Sequence, residues 1–261
     1  MMLLETSGLT RSYAGLVAVD HVTLGVAAGG IHAVIGPNGA GKTTLFNLLS
    51  GLAAPSAGVI HLEGQDITDL PAHARARLGM TRTFQNIRVF AAMTVLENVL
   101  TGLQPRIDAS LAAVLFRRPG FYREEREAVA RARETLELVG LADRADQRAD
   151  ALSYGDQRRL EIARAMVSRP RLLLLDEPAA GMNPAETEAL ATLVRRLRDA
   201  GTTVLLVEHD MGFVTDISDR VTVLNFGRLI FDGEPAAMRR DPAVIEAYLG
   251  PKMAARLAAR A

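Results

Sequence analysis

The chain has no cysteine, which excludes disulfides and thiolate metal sites and agrees with a reducing compartment. It has no excess of either charge: 30 Lys plus Arg stand against 30 Asp plus Glu, a formal net charge of +0. No basic footprint for nucleic acid follows from such a balance, and none is expected as a partner. Long apolar runs are missing as well. The longest, such as residues 172–175, are far too short to span a bilayer. Met1-Met2-Leu3-Leu4-Glu5 lacks the basic region and apolar stretch of a signal peptide. The expectation is a soluble chain of 261 residues, enough to bury a substantial core as one large domain or a domain with an inserted lobe. Lysine is the scarcest charged residue, present only as Lys42 and Lys252.

Lys42 sits in Gly36-Pro37-Asn38-Gly39-Ala40-Gly41-Lys42-Thr43, which fits the phosphate-binding pattern G-x-x-x-x-G-K-[ST]. Positive charge elsewhere comes from arginine, so lysine at this place needs a local reason. A compact ammonium sits between the β- and γ-phosphates of a nucleotide as a point charge, where a planar guanidinium would not fit. The glycines let several backbone N–H groups turn inward around the phosphates. Ile31-His32-Ala33-Val34-Ile35 before the loop reads as a buried strand, and Leu45-Phe46-Asn47-Leu48-Leu49 after it as a helix. Strand, glycine-rich turn and helix N-terminus make a phosphate site rather than a flexible loop. A nucleoside triphosphate is the expected ligand.

Residues 3–27 contain alternating stretches such as 17–24, which read as antiparallel strands preceding the P-loop strand. Residues 58–64 form another short strand bounded by glycines. Residues 94–149 change character to helix, with Val129, Leu136 and Val139 giving an incomplete apolar stripe in the charged stretch 123–139. The second half alternates again, with strands at 171–176, 202–208, 221–225 and 229–232 and a helix at 184–199. That helix starts with Asn183 as N-cap, Pro184 as first residue and Glu186 closing a capping-box-like pair. Strands alternating with helices argue for a parallel sheet with helices on its faces. Leu111, Val114, Leu115 and Phe116 beside Arg117 and Arg118 either pack on the helical lobe or meet a membrane protein or bilayer surface. The tail after Lys252 reads as mobile.

The apolar strand before Asp176 and Glu177 ends in these two carboxylates. In a parallel sheet that end points to the ligand crevice, on the P-loop side. One carboxylate can hold Mg²⁺ through water while Thr43 ligates it by its hydroxyl, and Glu177 can orient the attacking water. Leu152-Ser153-Tyr154-Gly155-Asp156-Gln157 opens a helix. Ser153 and Asp156 there read as an ordinary capping box, and the same helix end can bind a phosphate. The two readings are compatible, because the cap orders the amides.

The order of P-loop, Gln85, Leu152-Ser153-Tyr154-Gly155-Asp156-Gln157, Asp176-Glu177 and His209 resembles an ABC transporter ATPase over nearly the whole chain. That resemblance implies an α/β P-loop NTPase fold: a parallel-sheet core, an N-terminal antiparallel β subdomain and an inserted α-helical subdomain. It implies one domain over residues 1–250, with the core and β subdomain at about 1–85 and 160–250 and the helical part at about 86–159. ATP and Mg²⁺ would be the cofactors. Gly36, Asn38, Gly39, Ala40, Gly41, Lys42, Thr43 and Thr44 would hold the phosphates and Tyr13 would stack on adenine. Thr43, Gln85 and Asp176 would serve the metal. Glu177 and His209 would place the water with Gln85, and His209 would touch the γ-phosphate. Ser153, Gly155 and Gln157 would complete the ATP site of a second subunit, and Ala180-Gly181-Met182-Asn183 would cross to it. Two departures from the family's Leu-Ser-Gly-Gly-Gln signature stand out. Tyr154 replaces a glycine, and Asp156 replaces the glutamine. An acid beside a triphosphate would repel it, so Asp156 is expected to point into its own cap.

Thr83-Phe84-Gln85-Asn86-Ile87-Arg88-Val89-Phe90, Ala179-Ala180-Gly181-Met182-Asn183-Pro184, Glu208-His209-Asp210-Met211 and Ala247-Tyr248-Leu249-Gly250 resemble the branched-chain amino acid importer ATPases, most of all the longer of that system's two. Urea and short-chain amide importers use similar ATPases, and lipopolysaccharide export offers another alternative. The implied partners are a second ATPase subunit, sibling or self, two integral membrane permeases and, indirectly, a periplasmic or extracellular substrate-binding protein. The implied place is the cytoplasmic face of the inner membrane. A soluble ABC ATPase acting on nucleic acid or ribosomes is the remote rival; one P-loop, no cysteine and a modest helical lobe argue against it.

Overall fold

The computed structural model describes residues 1–103 and 119–250. The alternating residues at the start of the chain form a hairpin, in which β1 (Met2–Tyr13) and β2 (Leu16–Ala27) pair antiparallel with Tyr13 opposite Leu16. β3 (Ile31–Ile35) then leaves for the main sheet. β4 (Ala57–Leu62) adds to the free side of β1 and β5 (Gln65–Asp66) to β4, giving the order β2-β1-β4-β5.

The main sheet runs β10-β9-β3-β8-β7-β6. β6 (Met80–Arg82), β7 (Leu172–Asp176), β8 (Thr203–Val207), β3 and β9 (Arg220–Asn225) are parallel, and β10 (Arg228–Gly233) closes the edge antiparallel to β9. β3, β7 and β8 are buried at every residue, which is why they read as unbroken apolar runs. Successive side chains still point to opposite faces, so each strand supplies two cores. Val34, Leu174 and Leu205 join the core shared with the hairpin and α1 (Lys42–Leu49). Ala33, Leu173, Leu175 and Leu206 join the core under the other helices. His32 is a polar residue in the middle of β3, buried with Nε2 2.8 Å from Thr222 Oγ1 on β9.

α2 (Ala72–Arg77) closes the far end of the P-loop helix. Its Arg75, 1% exposed, donates to the Leu48 and Leu49 carbonyls at 2.6 and 2.7 Å. A cation there meets the negative end of α1. The helical lobe consists of α3 (Val95–Thr101), α4 (Pro119–Val139) and α5 (Tyr154–Met166). Leu136 and Val139 of α4 are buried as the stripe requires, Val129 is half-buried, and Ala132 fills the intervening turn. The lobe is less helical than expected between α4 and α5. Gly140, at φ +73°, ends α4, and two short 3-10 turns follow at Ala142–Arg144 and Ala149–Ala151. Thr94 also bridges Arg148 there.

α6 (Pro184–Asp199) begins with the full reciprocal capping box of Asn183 and Glu186. α7 (Met211–Ile217) follows β8, and α8 (Pro235–Met238) and α9 (Pro242–Leu249) pack back on β10. Among the described residues no helix is long and apolar enough to cross a membrane. The segment carrying Leu111, Val114, Leu115, Phe116, Arg117 and Arg118 and the tail from residue 251 lie outside the described residues.

Candidate functional site

The carboxyl ends of β3, β7 and β8 lie side by side, and each carries one piece of the site. Two glycines of the P-loop have no substitute. Gly36 sits at φ +152°, where a Cβ would come 2.2 Å from the Leu224 carbonyl oxygen. Gly41, at φ +99°, precedes α1, and its Cβ would come 2.3 Å from the Ala18 oxygen. The turn between β9 and β10 braces the loop, since the Gly227 N–H donates to the Ala40 carbonyl at 3.0 Å. Asn38, Gly39 and Thr43 are exposed, Thr44 is half-buried, and Ala40 is buried. Lys42 is buried, and Nζ donates to the Gly36 and Pro37 carbonyls at 2.6 and 3.1 Å. Burial pulls its pKa below the ordinary lysine value, and the charge of Glu177 works against that shift.

Asp176 ends β7, buried, with Oδ2 2.7 Å from Arg82 Nη2. Arg82 also donates through Nη1 to Asn47 Oδ1 and Ser50 Oγ, both at 2.8 Å. Its guanidinium lies 5.7 Å from the Phe46 ring centre and 5.5 Å from that of Phe84. One arginine thus ties the P-loop helix, the acidic strand end and the approach to Gln85. Glu177 takes the left-handed conformation at φ +46°, costly for a residue with a side chain. It is held there by its N–H on the Val207 carbonyl at 3.0 Å, and Gln85 Nε2 donates to its Oε2 at 2.7 Å. His209 follows β8 with its side chain 61% exposed, and its N–H donates to Glu208 Oε2 at 3.0 Å. Tyr13, at the end of β1, is 42% exposed, and the Arg11 guanidinium lies 4.5 Å from its ring centre. One face of that ring is therefore already covered.

A family model described as "ABC transporter" matches residues 19–180, and one described as "Branched-chain amino acid ATP-binding cassette transporter" matches residues 228–250. The chain belongs to the ABC transporter family. It is 50% identical over 249 residues to the high-affinity branched-chain amino acid transport ATP-binding protein BraF of Pseudomonas aeruginosa, covering 95% of this chain and 98% of the relative. LivG of Escherichia coli, of the same description, is 48% identical over the same shares, and the lipopolysaccharide export ATP-binding protein LptB of Escherichia coli is 36% identical over 250 residues, 96% of this chain and 98% of the relative. The crystal structure of the ADP conformation of MJ1267, an ATP-binding cassette of an ABC transporter, superposes with a TM-score of 0.85 at 32% identity, covering 96% of this chain and all of that one. This ABC ATPase binds and hydrolyses ATP.

The signature helix of the ABC ATPase differs from expectation in one respect. Ser153 caps α5, accepting the Asp156 N–H at 3.2 Å, but the reciprocal half of the box is not formed. The Asp156 carboxylate turns instead to two arginines, Arg144 and, at 3.0 Å, Arg159. Two fixed cations hold it more strongly than one backbone N–H would. Tyr154, in place of the usual glycine, donates its hydroxyl to the Ala180 carbonyl at 3.0 Å. Gly155 packs on Glu186, where a Cβ would stand 3.0 Å from Oε1, and Gln157 Nε2 donates to the Leu152 carbonyl at 3.1 Å. Ser153, Gly155 and Gln157 thus make their contacts at the start of α5, whereas Gln85, Glu177 and Lys42 gather at the P-loop.

Sequence reasoning missed Arg82, Arg158 and Glu208. Arg158, on α5, is fully buried and donates through Nη1 to the Phe84 carbonyl and through Nη2 to the Gln85 carbonyl, both at 2.8 Å. Glu161 lies 2.8 Å from Arg158 Nη1 and accepts the Phe84 N–H at 3.3 Å. The signature helix therefore grips the backbone of Gln85. An ion pair spaced i, i+3 inside the Arg158-Arg159-Leu160-Glu161 run was visible in the sequence, but such pairs ordinarily face solvent.

Proposed function

We propose that this ABC ATPase powers the uptake of branched-chain amino acids, working with a second ATPase subunit on two membrane permeases fed by a substrate-binding protein. The observation that carries this reading is the 50% identity to BraF across 95% of the chain. The C-terminal match over residues 228–250 points the same way. The export protein LptB, at 36%, is the weaker likeness.

Two ATP molecules would be sandwiched between the subunits. Lys42 and the P-loop amides, with Thr43 and Thr44 at the start of α1, hold the phosphates of one, and Tyr13 stacks on its adenine through the face Arg11 leaves free. Ser153, Gly155 and Gln157 serve the ATP of the partner subunit. For Gln157 this means leaving the Leu152 carbonyl when the pair closes. Asp176 and the Thr43 hydroxyl, with Gln85 beside them, are hard oxygen donors suited to Mg²⁺, which binds through one or two carboxylates with phosphates and water completing the shell. Held by these residues, the ion would supply charge neutralisation to the triphosphate. Glu177 takes the proton of the attacking water, and Gln85 orients that carboxylate through its 2.7 Å bond. His209 donates to the γ-phosphate. Neither half-site excludes water alone, so closure assembles the geometry. Beside Gln85 lies a cavity of about 830 Å³ lined by Phe84, Arg88, Val89, Phe90 and Thr101. A permease segment seated there would feel closure through Gln85 and, by way of Arg158, through the signature helix. The chain would then work at the cytoplasmic face of the inner membrane.

The test is to trap Glu177→Gln with ATP in native cells, purify it gently from membranes and identify what accompanies it. Removing a general base costs about 10²- to 10⁴-fold in turnover, so a closed, ATP-bound complex should accumulate. Two integral membrane proteins and a second ATPase are the expected companions, and their binding protein should take leucine, isoleucine or valine. Recovery from the soluble fraction with ribosomes or nucleic acid would overturn the reading.

A further inference from the structure

Glu208 is the most deeply buried acid near the site. It follows β8, is 0% exposed, and pairs with no lysine or arginine among the described residues. A carboxylate in such a place is costly unless N–H groups compensate it. Those of Ala179, His209 and Asp210 do. Oε1 accepts from the Ala179 N–H at 2.8 Å and Oε2 from the His209 N–H at 3.0 Å, with the His209 ring Nδ1 3.7 Å from the same Oε2. An apolar side chain would bury there without that cost, so the bonds to these two loops are the reason for the acid.

These bonds join the two loops that leave the paired ends of β7 and β8, beyond the last ladder pair of Asp176 and Val207. His209 leaves the end of β8, and Ala179 lies two residues beyond Glu177. Glu177 itself bonds Val207, the residue before Glu208, at 3.0 Å. Ala180 is fixed from the other side: its N–H donates to the Glu177 carbonyl at 3.2 Å, and its carbonyl accepts the Tyr154 hydroxyl at 3.0 Å. The segment from Glu177 to Ala180 is thus pinned to β8 by Glu208 and to the signature helix by Tyr154. The tyrosine that departs from the family's glycine has a contact of its own.

We propose that Glu208 is a positioning residue for hydrolysis: by accepting the His209 and Ala179 amides together, it holds His209 at a set place relative to Glu177. The inference rests on the roles proposed above for Glu177 and His209. Glu208 touches no reacting atom and acts through His209. Tyr154 limits the other end of the same segment, so the frame is closed on both sides.

A double-mutant cycle in the assembled transporter tests this, read by single-turnover hydrolysis of labelled ATP. Glu208→Gln keeps the shape but presents an NH₂ to one of the two N–H groups and leaves it unpaired. The expected result is a fall in kcat of about 5- to 100-fold with KM for ATP changed by less than about twofold. Glu208→Asp, one methylene too short to span both amides, should do the same. In a His209→Ala background neither change should lower turnover further, because the residue through which Glu208 acts is gone. Melting curves of each variant report the fold separately. An unchanged kcat in Glu208→Gln, or the same proportional loss with and without His209, would overturn the proposal. Full turnover by His209→Ala alone would remove the role of His209 and the proposal with it, and that outcome is read from a different variant.

Discussion

Arg158→Met isolates the contact by which the signature helix holds Gln85. The Arg158 side chain is 0% exposed and that of Glu161 1%, at 2.8 Å. Burial drives the Glu161 pKa up, and the Arg158 charge opposes this most strongly. Methionine keeps the length but removes the cation and its bonds to the Phe84 and Gln85 carbonyls. A buried acid left without its partner costs about 3–5 kcal/mol. Whole domains are stable by only about 5–15 kcal/mol, so the variant should melt roughly 6–20 °C lower. Adding Glu161→Gln removes the stranded charge while an amide oxygen still takes the Phe84 N–H. The double variant should recover about half of the loss. The chain has no tryptophan, so urea unfolding followed by circular dichroism is the suitable assay. A single variant within about 1 kcal/mol of the parent would refute the reasoning, as would a double variant weaker than the single one. With its backbone anchor lost, Gln85 should also serve hydrolysis less well than ATP binding.

Lys42→Ala should weaken ATP binding by roughly 10- to 100-fold, the worth of one charge-assisted contact; equilibrium titration with a fluorescent ATP analogue checks this, and unchanged affinity would contradict the placement of Lys42 at the phosphates. Burial lowers the His32 pKa from 6.5 to about 4. Between those values the unfolded chain holds a proton that the folded chain does not. Stability should therefore fall as pH drops through this window, by up to about 3 kcal/mol from this residue. In His32→Asn the acid limb of the urea midpoint against pH should flatten between pH 6.5 and 4; an unaltered limb would mean that His32 is protonated in the folded state.

The parts of the site legible in the sequence are those where a ligand dictates consecutive residues. A triphosphate needs glycines, a lysine and a helix start within one short loop, and Asp176-Glu177 ends an apolar run that only a strand covered on both faces explains. Helix starts were legible for the same reason, since Asn183-Pro184 and Glu186 act over one turn. Asp156 shows where local reasoning stops. Its cap looked complete in sequence, but Arg144, twelve residues away, bonds the carboxylate instead. β6 escaped notice because three residues are too few to show a period.

Arg82, Arg158 and Glu208 were invisible for a related reason. Their partners lie 94, 74 and 29 residues away in the chain, at Asp176, Phe84 and Ala179. In sequence each is one more charged residue in a chain that is 23% charged, and a charge is ordinarily a solvated one. Only the order β9-β3-β8-β7-β6, with the lobe folded over it, decides which charges lose their water and must find partners. The sequence by itself determined a nucleoside triphosphate as ligand, the fold class and the order of the motifs, because phosphate contacts and strand burial are written in neighbouring residues. The tertiary structure alone decided how the motifs are held to one another, because desolvation is a property of the packed molecule and not of any stretch of chain.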